Sequence, residues 1–173
     1  LAIGFGAQSV VKDFISGFFI IFEESFNVGD VIEIDNFKGT VLDLGFRTTK
    51  VKDWKGDIKI VRNGDINSMI NFSKAESTAV VNFGVSYKTD LNDFKEKMEI
   101  FIESITGKYP VVIEPPRFLG VTDLADSSIN MRVIAKTFAN QHYQVERDIR
   151  SDLVLFFRKN DIEIPFPQIV VHN

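Results

Sequence analysis

The first 25 residues, LAIGFGAQSVVKDFISGFFIIFEES, constrain the fold more than any other stretch. A helix that spans a bilayer needs roughly 20 mostly apolar residues to cross about 30 Å of hydrocarbon. Here Lys12 and Asp13 interrupt a run that is otherwise apolar or small. A helix on the surface of a globular protein would show a polar face. Yet Phe14 to Phe22 offers only Ser16 and Gly17 as relief. The chain begins at Leu1 inside an apolar pattern already under way, which reads as the tail of a membrane segment. Gly4 and Gly6 each cost helix stability in water, about 1 kcal/mol against Ala. With Ala2 and Ala7 they are spaced for close helix–helix approach, as in membrane bundles. From residue 9 to 22 the pattern places Val10, Phe14 and Ile21 on one side and Lys12, Asp13 and Ser16 on the other. That predicts a helix lying at an interface.

From Phe26 to Ser73 the period changes to two. VGDVIEI, GTVLDLG, RTTKVKDW and DIKIVRN are short alternating or β-branched runs. Gly29-Asp30, Asp35-Asn36, Lys55-Gly56-Asp57 and Asn63-Gly64-Asp65 punctuate them as turns. Asn63-Gly64 fits a type I′ hairpin turn, which needs positive φ at both central residues. Five strands in so short a segment cannot bury both faces of an open sheet, so a small curled barrel of the Sm type is expected. From Lys74 onward strands and helices alternate. Thr78–Tyr87 reads as a strand. Asp90 caps a helix with Leu91, Phe94, Met98, Phe101, Ile102 and Ile105 on its apolar face, ended by Gly107. Arg117–Leu124 and Ser128–Phe138 pair across a turn. A second helix, about Gln141 to Lys159, points Val145, Ile149, Leu153 and Phe156 inward, and Gln168–His172 closes the sheet. The order βαββαβ is the ferredoxin-like split βαβ motif. The chain is therefore read as α+β in three parts. These are a helix over 1–25, an Sm-like five-stranded β domain over 26–73 and a ferredoxin-like α/β sandwich over 74–173.

Composition narrows the function classes. The 173 residues include no cysteine, which removes disulfides and thiolate metal sites. The net charge of −4 carries no basic block, which argues against nucleic acid as a partner. Gly4-Phe5-Gly6 with Ser9 has no preceding strand and lacks a third glycine, so a phosphate loop is a poor fit. His142 and His172 are far apart and have no neighbouring metal-type ligands. Glu23-Glu24 and the Asp148/Asp152 pair read as salt-bridged or solvated surface, with Arg147, Arg150 and Lys159 near the second pair. No nucleophile, base and orienting group can be assembled, and neither catalysis nor a cofactor is expected.

Three motifs carry a family resemblance: GFGAQSVVKDFISGFFIIFEESFNVGD, KGTVLDLGFRTTKVKDWKGDIKIVRNGDI followed by INFS, and IPFPQ near the end. In their order and spacing the chain resembles the small-conductance mechanosensitive channel (MscS-like) family over essentially its whole length. The resemblance implies a homoheptameric channel with three transmembrane helices per subunit above a cytoplasmic vestibule. This chain would hold the lower third helix and both vestibule domains. It would sit in the inner (plasma) membrane of a prokaryote as part of a multi-pass protein, with residues from about 26 onward cytoplasmic. Tension would open it to release ions and small osmolytes in hypoosmotic shock, with membrane lipids as partners and no nucleic acid.

By the same resemblance, Leu1 and Phe5 fall where bulky apolar rings close the pore. Gly4, Gly6 and Ala7 match the small residues on which pore helices pack. Gln8-Ser9 falls at the bend between pore-lining and interfacial halves, and Gly17 matches an alternative bend. Asp13 occupies a position that abuts the turn at Asn63-Gly64, coupling helix to β domain. Arg62 stands where the family commonly has proline. The rival expectation is a soluble Sm-like RNA-binding or adaptor module with an apolar docking helix.

Overall fold

A computed structural model describes residues 2–165, with side chains of the first helix from Ala7 onward. The chain divides into two compact units, one running through Ala75 and one from Glu76 onward.

The first unit opens with α1 (Ala2–Phe22) and continues through β1 (Val31–Ile34), β2 (Phe37–Leu44), β3 (Thr48–Lys52), β4 (Ile58–Arg62) and β5 (Ile70–Asn71). The five strands form one antiparallel sheet in the order β4-β3-β2-β1-β5. Local chemistry sets each reversal. Asp35 and Asn36 hold φ of 49° and 60° between the paired Ile34 and Phe37. They make the two-residue turn that right-twisted strands favour, with residue types that tolerate the left-handed region. Between β3 and β4, Asp53 Oδ1 accepts from the amides of Lys55, Gly56 and Asp57 at 2.9, 2.8 and 2.8 Å. A bulge between Val41 and Asp43 bends β2, a device that lets a short sheet curl. Ile32, Ile34, Val41, Val51 and Val61 then share one core with Phe26, and Ile20 of α1 packs against it.

The turn assigned to Asn63-Gly64 comes out differently. Asn63–Asp65 is a single 3₁₀ turn, and Gly64 is not among the positive-φ glycines. Asn63 is 1% exposed, and its amide serves the surrounding backbone rather than its own turn. Across Gln8-Ser9, α1 is helical without interruption from Ala2 to Phe22.

The second unit comprises β6 (Ser77–Val85), α2 (Leu91–Ile105), β7 (Arg117–Leu124), β8 (Ile129–Thr137) and α3 (His142–Lys159), with strand order β6-β8-β7. Asp90 caps α2 by accepting from the amides of Asn92 and Asp93 at 2.8 and 3.2 Å. Along β8 every second residue is buried, from Ile129 to Thr137. That face meets Phe94, Met98, Phe101 and Ile105 of α2 and Val145, Ile149, Leu153 and Phe157 of α3. Phe157, not Phe156, completes the inward row of α3, because buried positions recur at four-residue spacing. Phe156 is half-buried and lies against Phe101, with ring centroids 5.1 Å apart. Leu91 is 44% exposed and belongs to the rim. The expected closing strand Gln168–His172 lies outside the described residues.

Met98 is fully buried, whereas Ile100 two residues on is 62% exposed. Met98→Ala should therefore lose about 2–5 kcal/mol in chemical denaturation. Ile100→Ala should stay within about 0.5 kcal/mol of wild type. Equal losses at the two positions would contradict the assigned helix face.

Candidate functional site

The sequence predicts that the interfacial helix turns its charged side away from its apolar side, and in α1 the side that carries Asp13 is the docked one. The positions it presents to its own unit are Asp13, Ser16, Gly17 and Ile20. These recur at three- and four-residue spacing and form one stripe. Asp13 is 2% exposed, while Val11, Phe14, Ile15, Phe18, Phe19 and Phe22 are all 48–72% exposed. The polar stripe is docked and the aromatic surface faces outward.

Two segments of the β unit receive the stripe. One is the β2–β3 loop, Gly45-Phe46-Arg47, and the other is the 3₁₀ turn. At Gly17 a Cβ would stand 2.1 Å from the Phe46 carbonyl oxygen and 2.5 Å from Asn63 Nδ2. Only glycine permits this approach. One turn earlier, Asp13 Oδ1 accepts from the Gly64 amide at 3.2 Å. A Cβ on Gly64 would lie 2.6 Å from that same oxygen. The second carboxylate oxygen accepts from Arg47 Nε at 3.4 Å, with Arg47 largely in solvent. A buried carboxylate is costly unless it is paired and hydrogen-bonded. Asp13 has a backbone donor and a guanidinium, one on each oxygen. Beside them the Phe14 and Phe46 rings stack with centroids 6.3 Å apart.

Asn63 organises the receiving surface. Its Nδ2 donates to the carbonyls of Gly45 and Phe46 at 2.8 and 3.0 Å, and its Oδ1 accepts from Thr49 Oγ1 at 2.8 Å. Its own amide donates to the Arg47 carbonyl at 2.9 Å. Thr49 is fully buried. One side chain thus shapes the loop whose carbonyl meets Gly17 and starts the turn whose amide meets Asp13. Outside, Arg62 pairs with Asp65 (Nη2 to Oδ2, 2.7 Å) across the turn.

Asp13, Asn63, Gly64 and Gly17 are therefore gathered at one place. Gln8, Ser9 and Ala7 lie on an exposed part of α1, away from this contact. Gly4, Phe5 and Gly6 lie on the described backbone of α1, and Leu1 lies outside the described residues. Sequence reasoning did not single out Phe46, Arg47 or Thr49. The available signal was Thr49 alternating in phase with the buried Val51 on β3. Glu23 and Glu24 are exposed, as their surface reading requires.

Asp148 and Asp152 find partners other than the arginines expected. Asp148 accepts from Gln144, and Asp152 accepts from Lys108 Nζ and the Tyr109 hydroxyl. Burial, with Asp152 adding to it, holds the Tyr109 hydroxyl well above its usual range. These bonds tie the segment after α2 to α3. Among the described residues no group of His, Cys, Asp and Glu is placed to hold a metal ion. Likewise no described helix is long and apolar enough to cross a membrane.

Comparison with known proteins meets this geometry from outside. The mechanosensitive ion channel β-domain model matches residues 9–74, and the MscS C-terminal model matches residues 79–164. A small-conductance mechanosensitive channel of Caldanaerobacter subterraneus subsp. tengcongensis is 41% identical over 171 residues, 99% of this chain and 61% of that protein. Mechanosensitive channel MscK of Escherichia coli is 28% identical over 99% of this chain and 16% of its own length. The chain thus spans less than two thirds of the length of each of these relatives. The crystal structure of Helicobacter pylori MscS in a closed state shares the fold, with TM-score 0.85 at 21% identity. That match covers 99% of this chain and 68% of the other.

Gly17→Val should push the loop at Phe46 away from α1, and trypsin should then cut after Arg47 faster than in wild type. An unchanged cleavage rate would contradict the contact. Thr49→Val should cost about 1–3 kcal/mol in the stability of the β unit, because it leaves the buried Asn63 oxygen without a donor. Denaturant titration measures it.

Proposed function

The chain belongs to the MscS family of mechanosensitive ion channels, and on that premise we propose that it is the lower pore and vestibule of a channel subunit opened by membrane tension. One observation carries the reading: α1 docks by its polar and glycine stripe and leaves a row of phenylalanines outward. A large exposed apolar surface requires an apolar neighbour. Lipid at the inner leaflet and the same helix of adjacent subunits supply it in a homo-oligomer, seven-fold as the family resemblance implies. Residues from about 26 onward then lie in the cytoplasm of a prokaryote, beneath the inner membrane.

In this reading Leu1 to Ala7 form the last part of the pore wall. Leu1 and Phe5 form two apolar rings that exclude water, and an ion does not pass without its hydration. Gly4, Gly6 and Ala7 allow neighbouring helices to pack and slide. Tension favours whichever state occupies more bilayer area, so it biases a two-state pore. Opening withdraws Leu1 and Phe5 from the axis and lets ions and small osmolytes leave during hypoosmotic shock. Gln8-Ser9 and Gly17 are the bend points. A bend at Gly17 must first leave the Phe46 carbonyl, so bending there and undocking from the β unit are one event. Asp13, Asn63 and Gly64 couple that event to the vestibule.

Phe5→Ser in the full-length protein, reconstituted in liposomes, should open at lower tension in patch-clamp recording. A threshold equal to wild type would contradict the gate assignment. Native mass spectrometry of the same protein should show seven copies, and a stable monomer would contradict the assembly.

A further inference from the structure

The outward face of the β6-β8-β7 sheet carries a cleft of about 420 Å³ that has no part in the helix contact. Its volume lies within the range of small-molecule sites, roughly 300–1,000 Å³. The strand register explains why space exists there. In one row across the sheet, Asn82 pairs with Arg132 and Arg132 with Gly120. In the next, Gly84 pairs with Asn130 and Asn130 with Asp123. The two glycines stand at opposite corners of this grid; Gly120 leaves its corner open, while Ser128 covers Gly84, its Cβ 2.9 Å from where a Cβ on Gly84 would stand.

β7 is irregular at the same place. Register shifts fall between Phe118 and Gly120 and between Val121 and Asp123, and Gly120 has φ +84°. Bulges of this kind re-aim side chains and recur beside binding sites. Thr122 is the supernumerary residue of the second bulge, and it lines the cleft with Asp123.

The polar groups around the cleft are held but not used up. Arg132 Nε donates to Asn82 Oδ1 at 2.7 Å, which orients the guanidinium and leaves both terminal nitrogens without a partner among the described residues. Asn130 Oδ1 accepts from Ser128 at 2.9 Å, and Thr122 donates to the Asn130 carbonyl at 3.2 Å. The amide nitrogens of Asn82 and Asn130 remain as donors. Asp123 lines the same cleft with no ion pair to Arg132, or to any other cation among the described residues.

We propose that this cleft binds a small zwitterion, namely a free α-amino acid. Its carboxylate sits on the Arg132 fork and the two asparagine amides, and its ammonium sits on Asp123. A simple anion would meet Asp123 and a simple cation would meet Arg132. A solute with both charged groups on one carbon satisfies the donors and the carboxylate together. The inference rests on the second unit alone and does not depend on the channel reading.

The test is isothermal titration of the full chain in detergent with L-alanine as probe, and with acetate and methylammonium as half-ligands. Alanine should bind, and each half-ligand should bind at least about tenfold more weakly, the usual worth of one charge-assisted contact. Arg132→Gln and Asp123→Asn should each weaken alanine by about tenfold or more. Asp123→Asn should also remove the preference of alanine over acetate. No heat with alanine on wild type would overturn the proposal. So would acetate binding as well as alanine, which marks a plain anion site. If either variant fails to fold, the three probes on the unaltered chain still decide between these outcomes.

Discussion

The buried amide of Asn63 is the interaction on which the first unit depends. One side chain at 1% exposure bonds two loop carbonyls and a buried threonine, and it leaves none of those groups unsatisfied. An unmade bond at such a site costs more than a made bond gains, so the network is kept whole or lost together. The loop it shapes offers the Phe46 carbonyl to Gly17, and the turn it begins offers the Gly64 amide to Asp13. The helix is thus placed by backbone groups, with glycine at both points of closest approach. Apart from Phe14, which stacks on Phe46, its aromatic surface plays no part in that placement and stays available for an apolar neighbour.

This division of faces bears on how the helix can respond to force. Docking by apolar burial would set the membrane and the β unit in competition for the same side chains. Here the two sides use different chemistry. Hydrogen bonds to a buried carboxylate fix geometry, while the phenylalanine face is non-directional and tolerates sliding. Within the family reading, the helix can therefore move against its neighbours while its other side reports to the vestibule.

Much of the fold was legible. Period-two runs located the strands because each buries one face, and Asp35-Asn36 made the tight turn that its residue types favour. The α2 cap at Asp90 and the stop at Gly107 followed from local rules. Asn63-Gly64 misled because the same dipeptide signature serves a different end: Asn63 is spent on tertiary bonds, and Gly64 is small because Asp13 approaches it. Periodicity separated the two sides of α1 without saying which one docks, and only the family resemblance set Asp13 against the Asn63-Gly64 turn. The buried Asp13 has a partner amide and guanidinium that only the folded loop supplies. Phe46, Arg47 and Thr49 escaped notice because loop carbonyls and long-range partners leave no periodic trace. The rows that make the cleft on the second sheet depend on register and bulges, which the sequence does not display.

Amide hydrogen exchange at Gly64 tests the central claim most directly. The residue sits in a three-residue turn, where an amide without a partner exchanges rapidly. The account predicts protection comparable to the β3 amides, lost selectively in Asp13→Ala while the strands remain protected. Rapid exchange at Gly64 in the wild-type protein would show that α1 is not held by this contact, and would contradict the account.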